Sequence, residues 1–136
     1  MFGELIGETA GTATSIKVTT TPHGAPRVET TLEAHGTLLG VEIVDFGTYW
    51  NMPRPDGRFT GGADGLVLSQ SAGGAVYSGT GVGWLYGQGG RSSWRGALYY
   101  TGLGDHFAGL NGMAVVYEFE IADNSKDMTA KYWEWK

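Results

Sequence analysis

The sequence predicts an all-β fold: an eight-stranded antiparallel up-and-down barrel, with a two-sheet β-sandwich as the alternative. Three observations carry that expectation. Short runs with period-two alternation recur from Arg27 to Trp135, and 24 glycines punctuate them together with Pro, Asn and Asp. No segment has the period of a long helix. The third is the last run, KYWEWK, aromatic right up to the terminus. That suits a strand closing onto the first, which leaves no exposed sheet edge.

The strands are expected at 6–21, 27–36, 41–52, 58–69, 75–86, 91–101, 113–122 and 127–136. PHGAP separates the first pair, RPDG the third from the fourth, SAGG the next pair, GQGG the next and DNS the last. Each is a turn with a mechanism: Gly and Asn accept positive φ, and Pro fixes its own φ. One connection is longer, GLGDHFAGLNG at 102–112, with room for a helical turn.

Length and composition bound the rest. At 136 residues, 41% hydrophobic, with five Trp, seven Tyr and five Phe, the chain reads as a single β-barrel domain spanning 1–136. A net charge of −5 offers no electrostatic footprint for nucleic acid or an anionic membrane. Without cysteine there is no disulfide, thiolate metal site or cysteine nucleophile. The opening MFGELIGETAGTATS lacks a cationic n-region and an apolar h-region, so a cytoplasmic location is expected.

Antiparallel strands can be registered on paper, since paired residues share a face. One register pairs Trp50 with Gly61, Phe46 with Gly65 and Val44 with Val67, then carries that face to Trp84, Val82, Thr80 and Ser78. It continues through Trp94, Gly96, Leu98 and Tyr100, then Val115, Tyr117 and Phe119, and Met128, Ala130, Tyr132 and Glu134. On the first two strands the same face holds Ile6, Glu8 and Ala10, then Thr30, Leu32 and Ala34. It is the greasier face, so burial turns it inward. The opposite face carries Lys17, Glu29, His35, Asp45, Arg95 and Glu118 and reads as the outside, with Arg95 opposite Glu118. Gly79, Gly81 and Gly83 fall outside too, as do Leu66, Leu68, Tyr77, Ala97, Tyr99, Val116, Trp133 and Trp135, which predict a homo-oligomer interface.

Up-and-down connectivity also assigns ends. One collects Trp50, Phe59, Trp84, Tyr86, Trp94 and Phe119. The other collects Glu8, Glu42, Ser78, Thr80, Tyr100 and Glu134 beneath the 102–112 loop with His106 and Asn111. The candidate catalytic residues are Glu8, Glu42, Glu134 and Tyr100. A carboxyl in an apolar barrel is raised by desolvation and becomes an acid or base, and a phenol can donate to a substrate oxygen. Trp84, Trp94, Tyr117, Tyr132, Ser78, Thr80, His106 and Asn111 are candidates for ligand binding. No residues have metal-ligand spacing, so no metal is expected.

The segments GTYW, GTGVG, SWRGALYY, LNG and the closing WEW resemble, across nearly the whole chain, small single-domain proteins of the allene oxide cyclase-like barrel class, nearest to its uncharacterised members. Members with known activity include allene oxide cyclases, dirigent proteins and bacterial spirotetronate cyclases. The resemblance implies an apolar, oxygen-bearing substrate held inside the barrel and steered through cyclisation or isomerisation without a cofactor. It also implies an inward glutamate near the barrel's start, where Glu8 falls. A lipocalin-like carrier, and a packed barrel acting through assembly, are the other readings.

Overall fold

The computed structural model describes residues 2–86 and 89–136; Gly87 and Gln88 of the expected GQGG turn lie outside the described residues, as does Met1. The fold is a closed antiparallel barrel in sequential order. Its strands are β1 (Phe2–Thr20), β2 (Pro26–Leu38), β3 (Val41–Pro53), β4 (Phe59–Leu68), β5 (Gly74–Leu85), β6 (Ser92–Leu103), β7 (Val115–Ile121) and β8 (Asp127–Trp135). The sandwich alternative is excluded because β8 pairs with β1, from Phe2 opposite Trp135 to Thr12 opposite Asp127. Stacking of Phe2 on Trp133, with ring centroids 5.4 Å apart, reinforces that closing seam. No helix among the described residues is long and apolar enough to cross a membrane.

Turn chemistry sets the strand ends. Leu39 (φ 50°) and Gly40 (φ 79°) make a two-residue hairpin turn between β2 and β3. Three other hairpins use five-residue loops, closed by Thr21 N donating to Ala25 O, Arg54 N to Arg58 O and Ser69 N to Gly73 O. Each carries a left-handed glycine: Gly24, Gly57 and Gly73. The long connection folds into a short 3-10 helix, His106–Leu110, whose Phe107 and Leu110 are fully buried and stopper one end of the barrel.

These loops correct the expected register on two strands. With residues 54–58 forming an odd-length loop, Trp50 pairs with Gly62 and Tyr49 with Ala63. Every side chain on β3 therefore turns over relative to the expectation, because strand periodicity is two. The odd loop at 69–73 does the same to β5, where Tyr77 pairs with Gly65. Trp94 lies opposite Gly83, not Trp84, which brings β6 back to its expected face. Ile43, Asp45, Gly47 and Tyr49 thus face inward, while Val44, Phe46, Thr48 and Trp50 face out. On β5 the inward set is Ala75, Tyr77, Gly79, Gly81 and Gly83, and Ser78, Thr80, Val82 and Trp84 line the outer wall.

On β1 the cause is a bulge. The register shifts between Ala13 and Ser15, so two different faces of the strand serve its two halves. Gly7, Thr9 and Gly11 face the interior and Glu8 and Ala10 do not, while Ile6, at a second register shift between Leu5 and Gly7, is half-buried against the core as expected. Beyond the bulge Ile16 and Val18 share the inner face but project past the rim, 55% and 69% exposed. The expected inner residues of β2, β4, β6, β7 and β8 hold, with Leu32, Ala34, Val67, Leu98, Tyr100, Val115, Met128, Ala130 and Tyr132 all buried. Arg95 pairs with Glu118 on the outer wall as expected, at 3.8 Å.

Candidate functional site

The inward turn of β3 puts a carboxyl in the middle of the barrel. Asp45 is 4% exposed, and its Oδ1 accepts a hydrogen bond of 2.8 Å from the Tyr77 hydroxyl. Burying an ionised carboxylate without a cation is costly, so the group responds by holding its proton more tightly. Desolvation lifts Asp45 from 3.8 to about 6, with the Tyr77 hydrogen bond pulling the other way. Burial also raises the phenols of Tyr77, Tyr100 and Tyr132, and the negative charge on Asp45 adds to each. Tyr117, nearer the opposite end, is pushed up to about 12 by burial.

Glycines make this cluster possible. A Cβ on Gly65 would come within 2.1 Å of the Tyr77 ring, and one on Gly47 within 2.6 Å of its hydroxyl. Bare backbone on β3 and β4 is thus the bed in which Tyr77 lies to reach Asp45. Gly81 and Gly96 leave space for the Tyr117 hydroxyl, and Gly61 and Gly83 flank the Trp94 indole. The GTGVG glycines therefore face inward, where they accommodate Leu98 and the rings of Tyr117 and Trp94, and not outward as expected.

Between these rings a cavity of about 60 Å³ remains. One water needs on the order of 10–15 Å³ of such space, so several waters or one small organic molecule fit. Asp45 and Tyr77 form part of the wall, together with Tyr49, Trp94, Tyr117 and Phe119. Tyr49 packs edge-on against Phe119 at 5.3 Å, and Trp94 Nε1 donates to Ser92 Oγ at 3.3 Å. Tyr132 also lines the cavity, and its hydroxyl lies 3.3 Å from Thr9 Oγ1.

The expected site residues fall into two groups. Trp94, Tyr117 and Tyr132 line the cavity, and Tyr100 is buried beside it, its ring 5.4 Å from that of Tyr77. Glu8, Glu42, Ser78 and Thr80 are exposed on the outer wall. Trp84 is outside too, with the Arg58 and Arg95 guanidinium groups each 5.6 Å from its ring. Glu134 is half-buried opposite Val115, near the stoppered end and away from the cavity lining. His106 and Asn111 are exposed and hold the end loop in place: His106 Nε2 lies 3.0 Å from Leu39 O, and Asn111 Oδ1 accepts from Gly102 N at 2.8 Å. The three glutamates do not converge.

Asp45, Tyr77 and Tyr49 are the interior residues that sequence reasoning missed. Gly79, Gly81 and Gly83 at the same parity as Tyr77 were the available signal, since bare positions facing Trp94 and Tyr117 belong inside a narrow barrel. Among the described residues, no three His, Asp or Glu side chains gather closely enough to hold a metal ion.

No protein-family model and no curated protein sequence matches the chain. Solved structures do. A protein of unknown function from Clostridium acetobutylicum superposes with a TM-score of 0.81 over 98% of both chains at 9% identity. A conserved protein of unknown function from Rhodopseudomonas palustris gives 0.78 over 99% of both at 8% identity. At such identities the likeness is one of fold: all three are closed barrels of this shape.

Proposed function

We propose that the barrel binds a small, mainly apolar molecule with one polar group, seated among Tyr49, Trp94, Tyr117 and Phe119 with its polar group on Asp45. One observation carries this reading: a nearly fully buried carboxyl opens onto a small aromatic-walled cavity. The resemblance to allene oxide cyclase-like barrels supports an interior site, with Asp45 taking the part that the resemblance gave to Glu8. Mass spectrometry of the purified protein after denaturation tests it. A small molecule released from wild type, and lost from a cavity-filling Ala63→Phe variant that still folds, is the expected result. No ligand from either, with no small molecule binding on titration, counts against it.

A second reading is cofactor-independent isomerisation or cyclisation, and the near-neutral Asp45 favours it. A carboxyl held at about 6 exchanges protons readily at neutral pH. Tyr77 or Tyr132 would then donate to a substrate oxygen. Turnover of the identified ligand, abolished in Asp45→Asn with binding retained, is its signature; binding without turnover leaves a carrier. Self-association through the apolar outer wall belongs to the same proposal.

A further inference from the structure

The charge of the cavity narrows its ligand, given that it is a binding site at all. Asp45 is the only formally charged side chain in the lining, and none of the lining residues is Lys, Arg or His. Asp45 takes part in no ion pair among the described residues; those present hold Arg27, His35, Arg54 and Arg95 to acids on the outer wall, the rim or the loops. The remaining wall is electron-rich: Tyr49, Trp94, Tyr117 and Phe119 present rings whose faces attract cations. An anion would meet a carboxylate with nothing to offset it. A neutral molecule would leave that carboxylate unpaired. A cation would satisfy both charge and rings.

We propose that the cavity selects small protonated amines over neutral or anionic molecules of the same shape, with the ammonium on the Asp45 carboxylate and the alkyl part among the rings. The preference follows from desolvation. An ammonium offsets its own dehydration by pairing with a carboxylate that folding has already stripped of water and left uncompensated, whereas an alcohol gains only a hydrogen bond. The Tyr77, Tyr100 and Tyr132 phenols that face Asp45 from β5, β6 and β8 are raised by burial and stay neutral at pH 8, so they neither compete for the cation nor add charge.

The test is an NMR titration of the full chain at pH 8, where Asp45 is ionised, with n-butylamine, n-butanol and butyrate, three probes matched in length. Shifts at the Trp94 indole and at Gly47 and Ala63 report the cavity. The expected result is saturable binding of n-butylamine at least tenfold tighter than n-butanol, none of butyrate, and loss of the preference in Asp45→Asn. Binding of n-butanol or butyrate as tight as that of the amine would overturn the cation preference while leaving the site intact. If no probe shifts these signals, the binding reading fails and the preference with it. Because the comparison is made within wild type, it stands even if Asp45→Asn does not fold.

Discussion

Asp45 is where the energetics of this barrel and its proposed function meet. An acid whose native value is raised weakens the fold as it ionises. Its contribution is most favourable below 3.8, and stability is lost as pH climbs through about 6. The rise corresponds to ~3 kcal/mol, and the group is buried well enough for most of it to be felt. Asparagine keeps an oxygen for Tyr77 and cannot ionise. Going from pH 4 to pH 8 should therefore cost wild type ~2 kcal/mol more unfolding free energy in urea than Asp45→Asn, the other carboxyls cancelling in the comparison. Parallel curves for the two proteins would mean that Asp45 is solvated. The glycines beneath Tyr77 give a second measurement. Gly65→Ala drives a methyl into the Tyr77 ring and should cost at least ~1–3 kcal/mol as a lower urea midpoint. Gly109→Ala, with nothing within 4 Å, should stay within about 0.5 kcal/mol of wild type.

At the scale of the element, strand positions were legible throughout and strand faces only in part: those of β3, β5 and much of β1 were not. Gly, Pro, Asn and Asp act locally, so they mark where a strand must stop: β3 begins at Val41 as expected, β8 at Asp127, and the helical turn in 102–112 is present. Which face turns inward depends instead on whether a loop has an odd or even number of residues, and on one bulged position in β1. RPDG reads equally well as a turn of either parity, and its true extent, 54–58, is set by a backbone bond from Arg54 N to Arg58 O that composition does not announce. Errors at 54–58 and 69–73 inverted β3 and β5 and hid Asp45 and Tyr77, while a compensating one between β5 and β6 kept Trp94, Tyr117 and Tyr132 in view. The 54–58 loop is itself testable. Gly57 has φ 85° and open space around it, so Gly57→Ala probes backbone strain alone. It should lower stability by ~1–2 kcal/mol, the cost of placing an L-residue in the left-handed region, without changing the cavity signals in an NMR spectrum.

Across the whole molecule, closure pairs each strand with two neighbours and leaves the outer wall as a broad surface for a partner. That wall is not uniformly polar. Phe46, Leu66 and Val76 are successive cross-strand partners on β3, β4 and β5, with Leu68 beside them, and Phe46, Leu68 and Val76 are each at least 40% exposed. Farther round, Ala97, Val116, Trp133 and Leu5 form a second row across β6, β7, β8 and β1, next to Tyr99 at 60% and Trp135 at 54% exposure. Contiguous apolar surface of this kind marks contact sites more often than bare wall, and two rows on one barrel give a second copy something to bury. Lysines at Val76 and Tyr99, on adjacent strands, would put charge into that contact without touching the interior. Sedimentation velocity should therefore show wild type as an assembly larger than one 14.5 kDa chain, and Val76→Lys with Tyr99→Lys as a folded monomer. A wild type that sediments as a single chain at micromolar concentration would leave the interior cavity as the only functional surface this reading supports.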